Sequence, residues 1–429
     1  MSEYRGYAGT SLTFLKESNV KVGDSVKVTE DLTYTGILMP RYEHTDDKHI
    51  VLKLKSGYNI GIEVNKIKKI ELLSSEKIET KSLPQIKTDS SLPKVLLLLT
   101  GGTIASKIDY RTGAVTPALS AAELNSAVPE LAEIANIDAE VIFSEYSENL
   151  EPDHWKKIAE KLDSYAKSNY KGIVIGHGTD TMQYTAAFLS FALAGYPIPI
   201  VLVGSQRSSD RPSSDAALNL ISAFRFVVES NTRGVFVVMH QNESDDLVVG
   251  HIGTRVRKNH ASKRSAFQTI GGNPAFLIFD KKIEKNLEKE FFKQKEYVPK
   301  LNFDSHVALV KYHPGYNPKI IDFLLESGYK AIIFEGTGLG HVGKTMYEGI
   351  KKANESGLFM GMTSQCIDGR VGMNVYESGR DLLELGIVPL SDMISETALV
   401  KAMWAIGNSG SPAEMKNLML KNIASEFSD

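Results

Sequence analysis

The chain has 429 residues, 42% of them hydrophobic and 24% charged, with a formal charge of −3. That length exceeds one typical core and points to two or three domains. The balance excludes a wholly basic nucleic-acid binder. No apolar run approaches the roughly 20 residues of a membrane span, and Met1–Thr10 lacks the pattern of a signal peptide, so a cytoplasmic protein is expected. Cys366 is the single cysteine. It excludes an internal disulfide and a cysteine-built zinc site, and beside Ile367 it reads as core filler.

In chain order, Val26–Val28, Tyr34–Met39, Ile50–Leu54 and Ile60–Val64 alternate between apolar and polar residues, with turn signals between them. This predicts a small antiparallel barrel of SH3/Sm-like character over residues 1–75. Lys48, Lys53, Lys55, Lys66, Lys68 and Lys69 lie close together in this stretch. Such a cluster can meet a phosphate backbone, but it is more often a solvated strand face. Residues 76–92, rich in Ser, Lys, Glu and Thr, read as a linker.

From Lys94 the pattern changes to buried strands alternating with amphipathic helices, which predicts a doubly wound α/β domain over 93–280. Strands are expected at Lys94–Leu99, Gly172–Ile175, Pro199–Val203 and Gly234–His240, and helices at 152–169, 182–194 and 213–231. Residues 281–304, dense in Lys and Glu, read as an interdomain connection. A smaller α/β domain follows over 305–429, with strands near Val307–Tyr312, Ala331–Glu335 and Phe359–Thr363 and closing helices at 394–406 and 412–423.

Two of the strands end in glycine and threonine: Leu99-Thr100-Gly101-Gly102-Thr103 and Gly176-His177-Gly178-Thr179-Asp180. Open α/β sheets place ligands at the carboxyl ends of their strands, so both threonines would face one crevice. Gly101, Gly102, Gly176 and Gly178 allow positive φ and bring backbone N–H groups toward an anionic or oxyanionic target.

A threonine hydroxyl is a weak nucleophile until a neighbour takes its proton. Asp180 follows Thr179, Tyr110 stands seven residues beyond Thr103, and Arg255-Val256-Arg257-Lys258-Asn259-His260 forms a basic strip. A lysine of that strip, desolvated beside Asp180, can take the Thr179 proton, although most such lysines are simply solvated. His177 is either a base or the filling of a hydrogen-bonded turn. No P-loop and no metal-ligand spacing occurs, so the chemistry is expected to be metal-free.

The segments Thr100–Ser106, Gly176–Thr181 and Arg257–His260, in that order, resemble the L-asparaginase and glutaminase family from about Leu92 onward. With a barrel and linker in front, the arrangement is similar to the branch of that family that feeds tRNA-dependent amidotransferases. The resemblance implies a two-domain asparaginase-like α/β fold preceded by a small β-barrel. It also implies that Thr103, assisted by Tyr110, attacks the side-chain amide, and that Thr179, Asp180 and Lys258 form a second triad. Which threonine forms the covalent acyl-enzyme stays open.

Ser147 matches the position that binds the substrate's α-carboxylate. Glu148 stands where a carboxylate can hold the α-ammonium, and Gly102 lies where a backbone N–H meets the oxyanion. By the same resemblance the substrate is L-glutamine and the ammonia passes to an E subunit. That partner, rather than this chain, would hold ATP and Mg²⁺ and act on glutamate carried by tRNA(Gln). The chain itself would form a homodimer, and a heterotetramer with the E subunit. A free-standing L-asparaginase with an accessory barrel is the alternative. A non-catalytic binder has no chemical reason to carry Thr103, Tyr110, Thr179, Asp180 and Lys258 together.

Overall fold

A computed structural model describes residues 4, 6–41, 46–54, 59–74, 89–101, 106–109, 114–117, 124, 128–207, 214–279, 282–287 and 296–428. The expected linker 76–92 falls largely outside them. The first unit is an antiparallel sheet of β1 (Ser25–Thr29), β2 (Thr33–Leu38), β3 (His49–Leu54), β4 (Asn59–Glu63) and β5 (Lys69–Ser74), in the order β4-β3-β2-β1-β5. Its alternation is real: Val26 and Val28 are buried while Lys27 between them is exposed. Helix α1 (Gly9–Glu17), which buries Leu15 into this core, and β5 carry too little local pattern to be expected from sequence. Lys66, Lys68 and Lys69 pair with Glu63, Asp31 and Glu71 at 2.9, 2.9 and 2.7 Å. These exposed pairs, worth little energetically, give that part of the cluster the character of a solvated face.

The second unit holds β6 (Lys94–Leu99), the hairpin β7 (Ser106–Asp109) and β8 (Ala114–Pro117), β9 (Asn136–Val141), β10 (Gly172–Gly176), β11 (Pro199–Val203), β12 (Gly234–His240) and β13 (Val248–Ile252). A separate ribbon, β14 (Val256–Lys258) with β15 (Phe267–Thr269), precedes β16 (Phe276–Phe279) and β17 (Lys282–Lys285). The main sheet runs β17-β16-β13-β12-β11-β10-β6-β9, parallel from β12 to β9 and antiparallel beyond β12.

Counting only its parallel strands in chain order, the sheet reads 2-1-3-4-5. The winding therefore reverses between β6 and β10, and open α/β folds bind ligands in that crevice. Register decides what reaches it. Leu99 pairs with Gly176 and Gly176 with Val203, so Thr100, His177 and Gly204 emerge side by side at the carboxyl edge. Helices α2 (Pro152–Ser164), α3 (Met182–Ala192) and α4 (Ala216–Glu229) cover the sheet. α4 begins at Ala216 rather than at Ser213 or Ser214, and Ser214 Oγ accepts from the Ala216 N–H at 3.2 Å.

The third unit is a parallel sheet of β18 (Val307–Lys311), β19 (Ala331–Gly336), β20 (Phe359–Ser364) and β21 (Val388–Pro389). It carries α5 (Lys319–Glu326), α6 (Tyr347–Glu355), α7 (Glu377–Glu384), α8 (Ser395–Gly407) and α9 (Pro412–Leu420). Helix α8 joins the two α/β units, with Trp404 stacked 5.8 Å from Phe191 of α3. Helix α9 stops at Leu420 instead of Ile423 because the Lys401 ammonium takes the Met419 and Lys421 carbonyls, at 2.9 and 2.7 Å. Strand β17 occupies the start of the expected interdomain connection, and Cys366 is exposed rather than core filler.

Candidate active site

The strand ends at the switch crevice are knitted together by main-chain and side-chain hydrogen bonds. The Thr100 N–H and hydroxyl both donate to the Gly176 carbonyl, at 3.1 and 3.0 Å, and the His177 N–H donates to Val203 at 3.0 Å. His177 is fully buried, with Nδ1 2.6 Å from the Gly178 carbonyl and Nε2 2.9 Å from Thr185 Oγ1. A carbonyl only accepts, so Nδ1 carries the hydrogen and Nε2 accepts from the threonine. Burial pushes the imidazole down to about 4. His177 is thus a neutral turn-filler with both nitrogens engaged, and the base reading falls.

One turn further, Thr179 and Asp180 meet Lys258. Lys258 Nζ lies 2.9 Å from Thr179 Oγ1 and 2.6 Å from Asp180 Oδ1, and the Lys258 N–H donates to Gln183 Oε1 at 2.7 Å. The lysine side chain is 10% exposed and the Asp180 carboxylate 65%. A nearly dry amine therefore sits between a hydroxyl and a carboxylate that reaches solvent. Sequence spacing could not anticipate Gln183, because its role depends on a main-chain approach from β14.

Ser147 opens a short 3₁₀ turn, Ser147–Asn149, and is buried, while Glu148 is exposed. The Thr181 hydroxyl donates to the Ser147 carbonyl at 2.7 Å. Gly178 lies so close that a Cβ built on it would stand 2.7 Å from Ser147 Cβ. Of the glycines expected to use left-handed backbone, Gly101 does so (φ 116°), whereas Gly176 and Gly178 do not. Gly178 is required for room. Gly102, Thr103 and Tyr110 lie outside the described residues. The structure thus brings Ser147, Thr179, Asp180 and Lys258 to one edge.

A second network, which the sequence does not announce, supports the same edge. The buried Asp215 carboxylate accepts from the Gln206 and Arg207 N–H groups at 3.0 and 2.9 Å. Asn219 donates to Asp215 at 2.9 Å and to the Gly204 carbonyl at 3.0 Å. His240 Nδ1 sits 2.5 Å from Asn219 Oδ1, and Arg264 donates to His240 Nε2 at 2.7 Å and also to Asp245. Burial, then the nearby guanidinium, holds the His240 imidazole below its ordinary value. The network fixes the loop after β11, whose Gly204 leaves only 2.8 Å between a built Cβ and the Thr179 methyl. Asp215, just before α4, and Asn219 in its first turn, four apart, are its only local signal. Among the described residues no cluster of three or more His, Cys, Asp or Glu side chains could hold a metal ion.

Comparison with known proteins gives three family matches: Asparaginase, N-terminal, over residues 94–291; Glutaminase/Asparaginase C-terminal domain over 306–419; and GatD N-terminal domain over 20–73. The chain is 47% identical to the D subunit of the glutamyl-tRNA(Gln) amidotransferase of Pyrococcus abyssi, over 96% of each chain. The chain belongs to the family of glutamyl-tRNA(Gln) amidotransferase D subunits. Its relative from Metallosphaera sedula is also 47% identical, over 98% of this chain and 96% of that protein. Among solved structures, the thermostable L-asparaginase from Thermococcus kodakarensis matches with a TM-score of 0.72 at 30% identity, covering 78% of this chain and 99% of its own. The chain thus has an asparaginase-like α/β fold, as the resemblance implied, with the five-stranded antiparallel unit matched at 20–73 in front of it.

Proposed function

We propose that this chain is the glutaminase subunit of a tRNA-dependent amidotransferase, hydrolysing L-glutamine and passing the ammonia to an E subunit that converts Glu-tRNA(Gln) to Gln-tRNA(Gln). The observation that carries the chemistry is Lys258 Nζ held 2.9 Å from Thr179 Oγ1 and 2.6 Å from Asp180. The choice of amidotransferase over free-standing L-asparaginase rests on the matched N-terminal unit at 20–73, which the asparaginase matches at 94–291 and 306–419 do not include.

In this mechanism Ser147 receives the α-carboxylate and Glu148 the α-ammonium of glutamine. Thr103, assisted by Tyr110, attacks the amide carbon, and N–H groups at Gly102 and Thr179 stabilise the oxyanion. One such donor is typically worth on the order of 100-fold in rate. Lys258, as the neutral amine, takes the proton of the Thr179 hydroxyl, and the neighbouring Asp180 carboxylate stabilises the ammonium that results. The C–N bond breaks as the proton released by the attacking hydroxyl passes through Tyr110 to the leaving nitrogen, ammonia departs, and water then cleaves the ester to release glutamate. The chain acts as a cytoplasmic homodimer, within a heterotetramer, and the partner supplies the ATP and Mg²⁺ chemistry.

Ammonia release from glutamine and from asparagine, measured alone and with the E subunit and Glu-tRNA(Gln), tests this. Glutamine turnover that rises sharply with partner and tRNA is expected. Strong asparagine hydrolysis by the isolated chain, or undiminished hydrolysis by Thr179→Val, would overturn it.

A further inference from the structure

Lys258 ends a strand of three residues. β14 belongs to a two-stranded ribbon outside the main sheet, in which Val256, Arg257 and Lys258 face Thr269, Gln268 and Phe267. Val256 and Phe267 are buried in the core, and main-chain bonds from Ile270 to Arg255 and from Asn259 to Ala266 extend the pairing. A two-stranded ribbon is marginally stable alone, so the contacts that flank it decide where the amine sits.

The residues just before β14 are gripped by a segment for which the proposed chemistry has no use. Residues 421–428 follow α9 and run back to the junction of the two α/β units. The Thr254 hydroxyl donates to the Ala424 carbonyl at 2.8 Å. Buried Arg255 donates through Nε to the Ser425 carbonyl at 2.7 Å, through Nη2 to Ser428 Oγ at 3.1 Å, and through Nη1 to Asp392 at 3.2 Å. Asp392 in turn accepts from both the N–H and the hydroxyl of Ser428, each at 2.7 Å.

The segment's shape is set from within. The buried Glu426 carboxylate takes the Ile423 and Ala424 N–H groups at 3.0 and 2.6 Å and pairs with the buried Lys401 ammonium. That ammonium has an acceptor for each hydrogen, the condition under which a buried ion pair holds one geometry. Side chains alternate along the strand, so Arg257 reaches Glu396 of α8 at 3.0 Å while Lys258 turns the other way to Thr179.

We propose that residues 421–428 form an internal clasp that positions Lys258. By tying Thr254 and Arg255 to the C-terminal unit, the clasp holds β14 where Lys258 Nζ reaches Thr179 and Asp180. Arg255, Asp392 and Ser428 are positioning residues and touch no substrate. The inference rests on the reading of Lys258 as the proton acceptor for Thr179.

The test compares Arg255→Lys, Ser428→Ala and Asp392→Asn with Lys258→Met, all in the full chain assembled with its partner. Thermal unfolding is measured beside kcat and KM for glutamine hydrolysis. Misplacement of a reacting group costs up to about 100-fold, so kcat is expected to fall on the order of tenfold in the clasp variants that remain folded at assay temperature. KM should stay within about twofold of its original value. A fall in kcat that merely follows the unfolded fraction would overturn the clasp. So would unchanged kcat in folded Ser428→Ala and Asp392→Asn chains alongside an inactive Lys258→Met. An active Lys258→Met would instead overturn the catalytic reading itself, so the two failures are distinguishable.

Discussion

Gly178→Ala puts the packing of the crevice to a direct test. The added Cβ would stand 2.7 Å from Ser147 Cβ and 2.9 Å from Ser147 Oγ. Carbon atoms rest at about 3.5–4.0 Å from one another, so one side must yield by about 1 Å. Ser147 has little freedom, because its carbonyl is held by Thr181 at 2.7 Å and the Glu145 N–H is tied to the Thr100 carbonyl at 3.2 Å. If the surroundings absorb the strain, stability falls by roughly 1–3 kcal/mol.

If Ser147 yields instead, its hydroxyl leaves the position proposed for the α-carboxylate, and kcat/KM for glutamine falls on the order of 100-fold. Steady-state ammonia release combined with denaturant unfolding separates the two routes. The double variant Gly178→Ala/Ser147→Gly removes the obstructing atoms, so it should recover stability without recovering activity. A Gly178→Ala chain with unchanged unfolding and unchanged kcat/KM would refute both the close packing and the assignment of Ser147.

Three further outcomes follow from buried groups. Between pH 6.5 and pH 4 the unfolded chain takes up a proton that native His177, depressed to about 4 by burial, refuses. Unfolding free energy therefore declines by about 3 kcal/mol as pH falls through that window. His177→Gln, which can still donate to Gly178 and accept from Thr185, should remove that share of the decline, and an identical decline in denaturant titrations at pH 7 and pH 4 would refute it. Glu426→Ala leaves the buried Lys401 ammonium without its counter-charge and should cost about 3–5 kcal/mol, with partial recovery on adding Lys401→Met; a loss under about 1 kcal/mol would contradict the burial that defines the pair. Asp215→Asn turns an amide group toward the Gln206 and Arg207 N–H donors and should lower kcat on the order of tenfold by releasing the loop against Thr179. Unchanged kcat would show that the loop is held by other means.

What could be read in advance follows from the range over which each signal acts. Pro199–Val203 and Gly234–His240 matched their strands residue for residue, because parallel strands buried on both faces are continuous apolar runs. Lys282–Lys285 was missed because an edge strand needs no such run, and its Lys-Ile-Glu-Lys pattern resembles a charged connection. Helix α1 was missed because its amphipathic signal is thin: Ser11 and Leu15 are its buried residues. Ile367 suggested a core around Cys366, yet both side chains are exposed. The Lys258–Thr179 contact bridges 79 positions and the Arg264–His240 contact 24, and no local periodicity encodes either.

The two halves of the proposed catalytic edge are held by different physics, and that should decide how each responds to change. Thr179 follows β10, a strand at the centre of the parallel sheet, with its neighbour His177 locked by two hydrogen bonds and Gly204 pressed against its methyl group. Lys258 comes from a three-residue strand outside that sheet, fastened by Gln183 on one side and by Arg255 and Arg257 on the other. Truncations in β10 or β11 therefore remove core volume and act mainly on stability. Changes at Thr254, Arg255 and Arg257, unlike one at the buried Val256, remove few buried apolar atoms and act mainly on where the amine sits. Turnover is for that reason the quantity most exposed to motion between the two α/β units, because Arg255 and Arg257 both anchor in the C-terminal unit while Thr179 does not.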